Sequence, residues 1–230
     1  MPLWVAEPAE KGLYPAVLVL MEAFGVNAHI RAVCKRLASQ GYVAAAPDLY
    51  YREAERTIAY SNTDRAVGYV MRTIALSDSP EERVKDERVM ADVQAAVYAL
   101  AARPNVADDR IGALGFDMGA RLAFLTLCRF PQRVRGGVAF YGDRIVPVLE
   151  EAKGLEAPLL LIFAGRDDSI PRFHVDRIQA ELAHQAKPHA LHVYPDVEHG
   201  FFCDDRPAHD PAAARDAWAK TLAWFEKSLA

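Results

Sequence analysis

The chain has 230 residues, 52% hydrophobic and 25% charged, with 27 Lys and Arg against 31 Asp and Glu for a net charge of −4. This composition excludes a disordered chain, and without a basic excess it gives no support to nucleic-acid or anionic-membrane binding. A chain of this length buries about 70% of its unfolded surface, so one core suffices without staples, and the three cysteines (Cys34, Cys128, Cys203) fit neither a disulfide framework nor a metal motif.

The N-terminus has no basic region followed by an apolar run, and no apolar stretch reaches the ~18 residues of a membrane span, so the chain reads as soluble and cytoplasmic. Short apolar runs then alternate with helical patterns. Residues 16–20 read as a buried strand, and 28–39 as a helix with its stripe at Ile30, Val33, Cys34 and Leu37. A strand over 42–46 ends at Pro47, and 48–80 reads as a long loop with one helix near 63–75. Residues 81–102 give the strongest helix, with Glu81 and Glu82 in the first turn and Met90, Val93, Val97 and Leu100 on one face. Beyond it come strands at 110–115, 137–141, 158–164 and 190–194, and helices at 118–129, 172–185 and 211–228. Continuous apolar strands between amphipathic helices predict one α/β domain over 1–230, a mostly parallel, doubly wound sheet with helices on both faces. Ligand chemistry then belongs at the carboxyl ends of the strands.

Four segments at those ends carry candidate site groups. Strand 110–115 runs into Gly115-Phe116-Asp117-Met118-Gly119 and at once into a helix, the shape of a nucleophile elbow. The turn lifts its central residue above the sheet edge, and the Met118 N–H can face a developing oxyanion. Strand 158–164 is followed by Gly165-Arg166-Asp167-Asp168, where a carboxylate could orient an imidazole, and strand 190–194 by Glu198-His199-Gly200. The first strand ends at Met21-Glu22-Ala23, placing the Ala23 N–H as a second oxyanion donor and Glu22 within reach of the elbow.

Together and in order, the segments MEAFGVN, AAPDLYYR, GFDMGARLAF, VAFYG, GRDDSIP and EHGF resemble the dienelactone hydrolase family of α/β hydrolases, over residues 21 to 202. The resemblance implies hydrolysis of a cyclic enol-lactone or another small ester by a Cys–His–Asp triad, with no cofactor or metal. It implies His199 as the triad histidine, Asp167 as its acid (Asp168 being the second choice), and Glu22 as the glutamate that controls the nucleophile. It also implies Arg52 as a substrate-carboxylate arginine and Tyr141 as a tyrosine near the site. Two positions depart from the pattern: Asp117 stands at the nucleophile, and Cys203 stands where a second substrate arginine is expected, with Arg206 nearby but out of register.

The aspartate leaves three routes open: Asp117 as nucleophile, Asp117 or His199 as general base toward water, or a hydrolase fold retained as an inactive binding protein. Carboxylate nucleophiles serve haloalkane dehalogenases and soluble epoxide hydrolases on similar folds, although Met118 stands where a halide-binding Trp would follow. The arrangement also brings Glu22 and Asp117 into one cleft, where like charges need an offset from His199 or Arg52. Asp167-Asp168 has a competing role as a helix cap, and Glu22 another. The six other histidines, His29 among them, read as surface residues, Arg121 as facing the helix surface, and Cys34 and Cys128 as structural.

Overall fold

In the computed structural model, which describes residues 1–77 and 79–230, the apolar runs become strands of a single seven-stranded sheet. They are β1 (Leu3–Ala6), β2 (Tyr14–Leu20), β3 (Val43–Pro47), β4 (Val106–Phe116), β5 (Val134–Phe140), β6 (Leu159–Arg166) and β7 (His189–Glu198). Their order across the sheet is β1-β3-β2-β4-β5-β6-β7, and β1 alone runs antiparallel to its neighbour. Ala16 to Leu20 of β2 have no exposed surface, as expected of a strand covered on both faces.

The helices are α1 (Ala28–Ala38), α2 (Thr63–Thr73), α3 (Pro80–Ala101), α4 (Met118–Arg129), α5 (Arg172–His184) and α6 (Pro211–Ser228), with a 3₁₀ segment at Val146–Gly154. Two neighbouring glycines of β5 show that the sheet is covered on both sides: a side chain at Gly136 would strike Ser228 of α6, and one at Gly137 would strike Leu127 of α4. The caps are local in origin. Asn27 Oδ1 accepts from the Ile30 N–H at 3.1 Å, Ser79 Oγ from Glu82 and Asp210 Oδ1 from Ala213, each ahead of an apolar stripe. Among the described residues no helix is long and apolar enough to cross a membrane.

Strand order reverses between β2 and β4, because the chain leaves β2 toward β3 and then crosses back to β4 on the other side. The connections after β2 and β4 therefore part at their carboxyl ends and leave a crevice. Residues 21–27 line one side of it and Asp117 the other.

Two expectations are corrected. Arg121 is fully buried rather than turned to the helix surface. Its guanidinium bonds Asp86 of α3 and donates to the carbonyls of Ala75 at 3.2 Å and Arg144 at 3.0 Å, so paired donors compensate its desolvation. His29 is also buried, at 3% exposure, between Phe116 and Phe202. Removing one member of a buried ion pair leaves the other uncompensated. Asp86→Ala is expected to lower stability by about 3–5 kcal/mol in urea unfolding, and the double variant Asp86→Ala/Arg121→Met to recover much of that loss.

Candidate active site

The elbow forms because two glycines let two backbones touch. A Cβ on Gly115 would lie 2.0 Å from the Gly119 carbonyl oxygen, and one on Gly119 would lie 2.3 Å from the Leu20 carbonyl oxygen. Only this approach lets β4 turn into α4 within one residue, and Asp117 takes the strain with φ of 52°. Its own N–H is tied to the Phe140 carbonyl at 3.1 Å, so the strained residue is held from the neighbouring strand. At the end of that strand Tyr141 also has a positive φ, 36°.

His199 follows β7, and its Nδ1 lies 2.8 Å from Asp167 Oδ2. Asp167 is fixed in turn, since its Oδ1 accepts from the N–H groups of Ser169 at 2.9 Å and Ile170 at 3.0 Å. The capping role and the imidazole-orienting role thus belong to one carboxylate, with one oxygen for each. A proton on Nδ1 leaves Nε2 as a free base. Nε2 lies 3.9 Å from Asp117 Oδ1. Burial works against the charged imidazole, but the Asp167 bond and the Asp117 and Asp167 carboxylates outweigh it, so its pKa is raised.

The second oxygen of Asp117 lies at the expected oxyanion site. Ala23 N–H donates a long bond to Asp117 Oδ2 at 3.4 Å. The Ala23 peptide is itself braced by Tyr50, whose hydroxyl donates to the Ala23 carbonyl at 3.0 Å. Met118, the first residue of α4, has no carbonyl one turn earlier to accept its N–H. Asp117 thus sits between His199 on one side and the Ala23 amide on the other.

Glu22 is buried at 1% exposure, and its offset is not the one expected from His199 or Arg52. Tyr60, from the 48–62 loop, donates to Glu22 Oε1 at 2.5 Å, and Arg206 Nη1 lies 3.9 Å from Oε2. The Tyr60 hydroxyl also accepts from Asn27 Nδ2 at 2.9 Å and meets Cys203 Sγ at 3.1 Å. Asp143, beyond β5, adds a further carboxyl whose pKa is raised by burial and by the charge on Asp117.

The expected substrate contacts are placed differently. Tyr141 is fully buried, its ring 4.9 Å from that of His199, so it packs against the imidazole. Cys203 is also fully buried. Arg52 turns onto Asp92 of α3 and lines a separate cleft with Arg72, Lys85 and Arg88. Arg206 instead lines the cleft of about 490 Å³ at His199, together with Arg166, Ser169 and Pro207. It reaches there because Gly200 has no side chain, since a Cβ would lie 2.3 Å from the Arg206 guanidinium. Arg206 is out of register with the expected second arginine, but the turns at Gly200–Cys203 and Cys203–Arg206 fold it back over that gap.

Because its folded pKa is raised, the stability that His199 contributes is fully present below the ordinary value of about 6.5 and drains away as pH rises through the folded value. Removing the Asp117 charge takes away one of the raising causes. An NMR titration is expected to place His199 above that ordinary value, and to move it down in Asp117→Asn; an unmoved midpoint would contradict the charge coupling.

The dienelactone hydrolase family profile matches residues 1–229. A protein of Methylorubrum extorquens with the printed name "Putative carboxymethylenebutenolidase" is 35% identical over 236 residues, covering 99% of this chain and 77% of its own length. One of Escherichia coli with the same name is 36% identical over 238 residues, covering 99% and 82%. The crystal structure titled "Putative Dienelactone Hydrolase" from Klebsiella pneumoniae superposes with a TM-score of 0.83 at 31% identity, covering 99% of this chain and 93% of that one. An elbow, an Asp167–His199 pair and a matching profile over nearly the whole chain lead to one conclusion: the chain belongs to the dienelactone hydrolase family of α/β hydrolases.

Proposed function

We propose that this protein hydrolyses a small, anionic ester, lactone or related electrophile with Asp117 as its nucleophile. The observation that carries the reading is the seating of one carboxylate, with Oδ2 on the Ala23 N–H and Oδ1 toward His199 Nε2. Oδ1 is nucleophilic without losing a proton, and it attacks the electrophilic carbon. As the bond to the leaving oxygen breaks, imidazolium His199 gives that oxygen its proton. Neutral His199 then takes a proton from water, and the water oxygen adds to Cγ of Asp117. The negative charge of that step falls on Oδ2, which already rests on an oxyanion donor. Collapse breaks the Cγ–Oδ1 bond, releasing the acid from an anhydride or the alcohol from an alkyl ester, and returns Asp117 as a carboxyl that sheds its proton to solvent.

A carboxylate is a weak nucleophile toward ordinary acyl groups, so this route selects substrates whose leaving oxygen is stabilised, such as enol or aryl esters. The relatives' name points to an unsaturated lactone bearing a carboxylate, and Arg206 beside His199 supports an anionic group here. A general-base route, with water attacking the substrate directly, would need Asp117 Oδ2 to give up its place on Ala23.

A single turnover of an aryl ester or enol-lactone in ¹⁸O-water separates these routes. The nucleophile route puts ¹⁸O into the peptide carrying Asp117 and none into the first product. Label appearing directly in product overturns it, and silence of the parent toward every such substrate, with activity gained in Asp117→Cys, marks an intact site lacking a working nucleophile. His199→Ala is expected to lose about 10²–10⁴-fold in turnover and to accumulate a covalent adduct on Asp117 visible by mass spectrometry.

A further inference from the structure

Outside the Asp117–His199 pair, three side chains of metal-ligating type converge from two parts of the chain. His29 comes from α1, and Cys203 and Asp204 from the turns after His199; their donor atoms all lie within 4.8 Å of one another. We propose that His29, Cys203 and Asp204 form a binding site for a divalent transition ion of the zinc type.

The donor set argues for that class. Thiolate, imidazole and carboxylate together suit zinc-like ions, whereas magnesium and calcium prefer oxygen ligands alone. The spacing agrees. His29 Nδ1 and Asp204 Oδ1 are 3.3 Å apart, long for a hydrogen bond. The edge of a tetrahedron with metal–N and metal–O bonds of ~2.0–2.1 Å is about 3.4 Å. The sulfur edge is about 3.6 Å for a metal–S bond of ~2.3 Å, so the thiol moves by little more than about an ångström.

The burial of the imidazole agrees with that geometry. His29 is 3% exposed, and the contact of its Nδ1 with Asp204 is long for a hydrogen bond. An ion between Nδ1 and Oδ1 replaces that poor contact with two metal–ligand bonds. Glu22 and Asp205 bring two further carboxylates near Cys203, a neighbourhood that favours a dication. The nearby cation Arg36 is stacked 4.2 Å above the Trp218 ring. Access comes through Asp204, whose side chain is 70% exposed while those of its two companions are buried. The site touches the catalytic cleft through one hydroxyl, because Cys203 meets Tyr60 and Tyr60 holds Glu22.

Cobalt(II) reports the site without any substrate. Titrating the full chain with Co²⁺ is expected to give one equivalent of binding, a thiolate-to-cobalt charge-transfer band and tetrahedral ligand-field bands. One equivalent of Zn²⁺ should remove them, and Mg²⁺ should not. Cys203→Ser should abolish the charge-transfer band; Asp204→Asn, an exposed change that leaves packing untouched, should weaken Co²⁺ binding by about tenfold or more. No such band in a folded parent, or a band that survives Cys203→Ser and so arises from Cys34 or Cys128, overturns the proposal.

Discussion

One amide and one carboxylate set the terms for this protein. The Ala23 N–H reaches Asp117 only because β2 and β4 are adjacent, because the chain departs from their ends in opposite directions, and because Gly115 and Gly119 let the elbow close against the end of β2. The strain at Asp117 is then offset by its neighbours: the Phe140 carbonyl holds its N–H, and the whole of α4 hangs from its carbonyl side. A serine or cysteine in that turn would offer one reactive atom and leave the amide to the substrate. Aspartate offers two atoms, and the second takes the amide itself. The difference is geometric: a carboxylate at this turn occupies an amide that a hydroxyl or thiol would leave open.

The fold was legible because its strands are unmixed. Runs such as Val17 to Leu20 and Leu159 to Phe163 have apolar side chains on both faces, and helices with clear stripes separate them. The elements with weak patterns escaped. β1 is only four residues long and makes its case by pairing with β3. β4 begins at Val106, paired with Tyr14 of β2, although Asp108, Asp109 and Arg110 interrupt its apolar run; the register shifts between Val106 and Ile111, so these polar residues sit in an irregularity of the strand. The 3₁₀ segment at Val146–Gly154 lacks the length over which a helical stripe can be recognised.

At the site, the residues fixed by the chain's local turns were readable and those placed by distant segments were not. Asp117, Asp167 and His199 each sit immediately after a strand, where topology leaves one position open. Tyr60 lies in a loop without periodicity, and nothing local announces that its hydroxyl will meet Glu22. The burial of His29 and Arg121 was equally hidden, because a polar side chain enters a core only when partners elsewhere receive it. Arg52 illustrates the reverse: its place after the PDLY segment suggested a ligand contact, but Asp92 on α3 claims it.

Arg121 joins pieces that are far apart in sequence: the elbow helix, α3, the connection at Ala75 and the loop at Arg144. With their carbonyls and a carboxylate bound to one buried guanidinium, none can detach without exposing that charge unpaired. Local opening at the elbow therefore approaches the cost of opening the whole domain. The amides of β4 and α4 are expected among the most slowly exchanging, with the elbow turn opening together with the core.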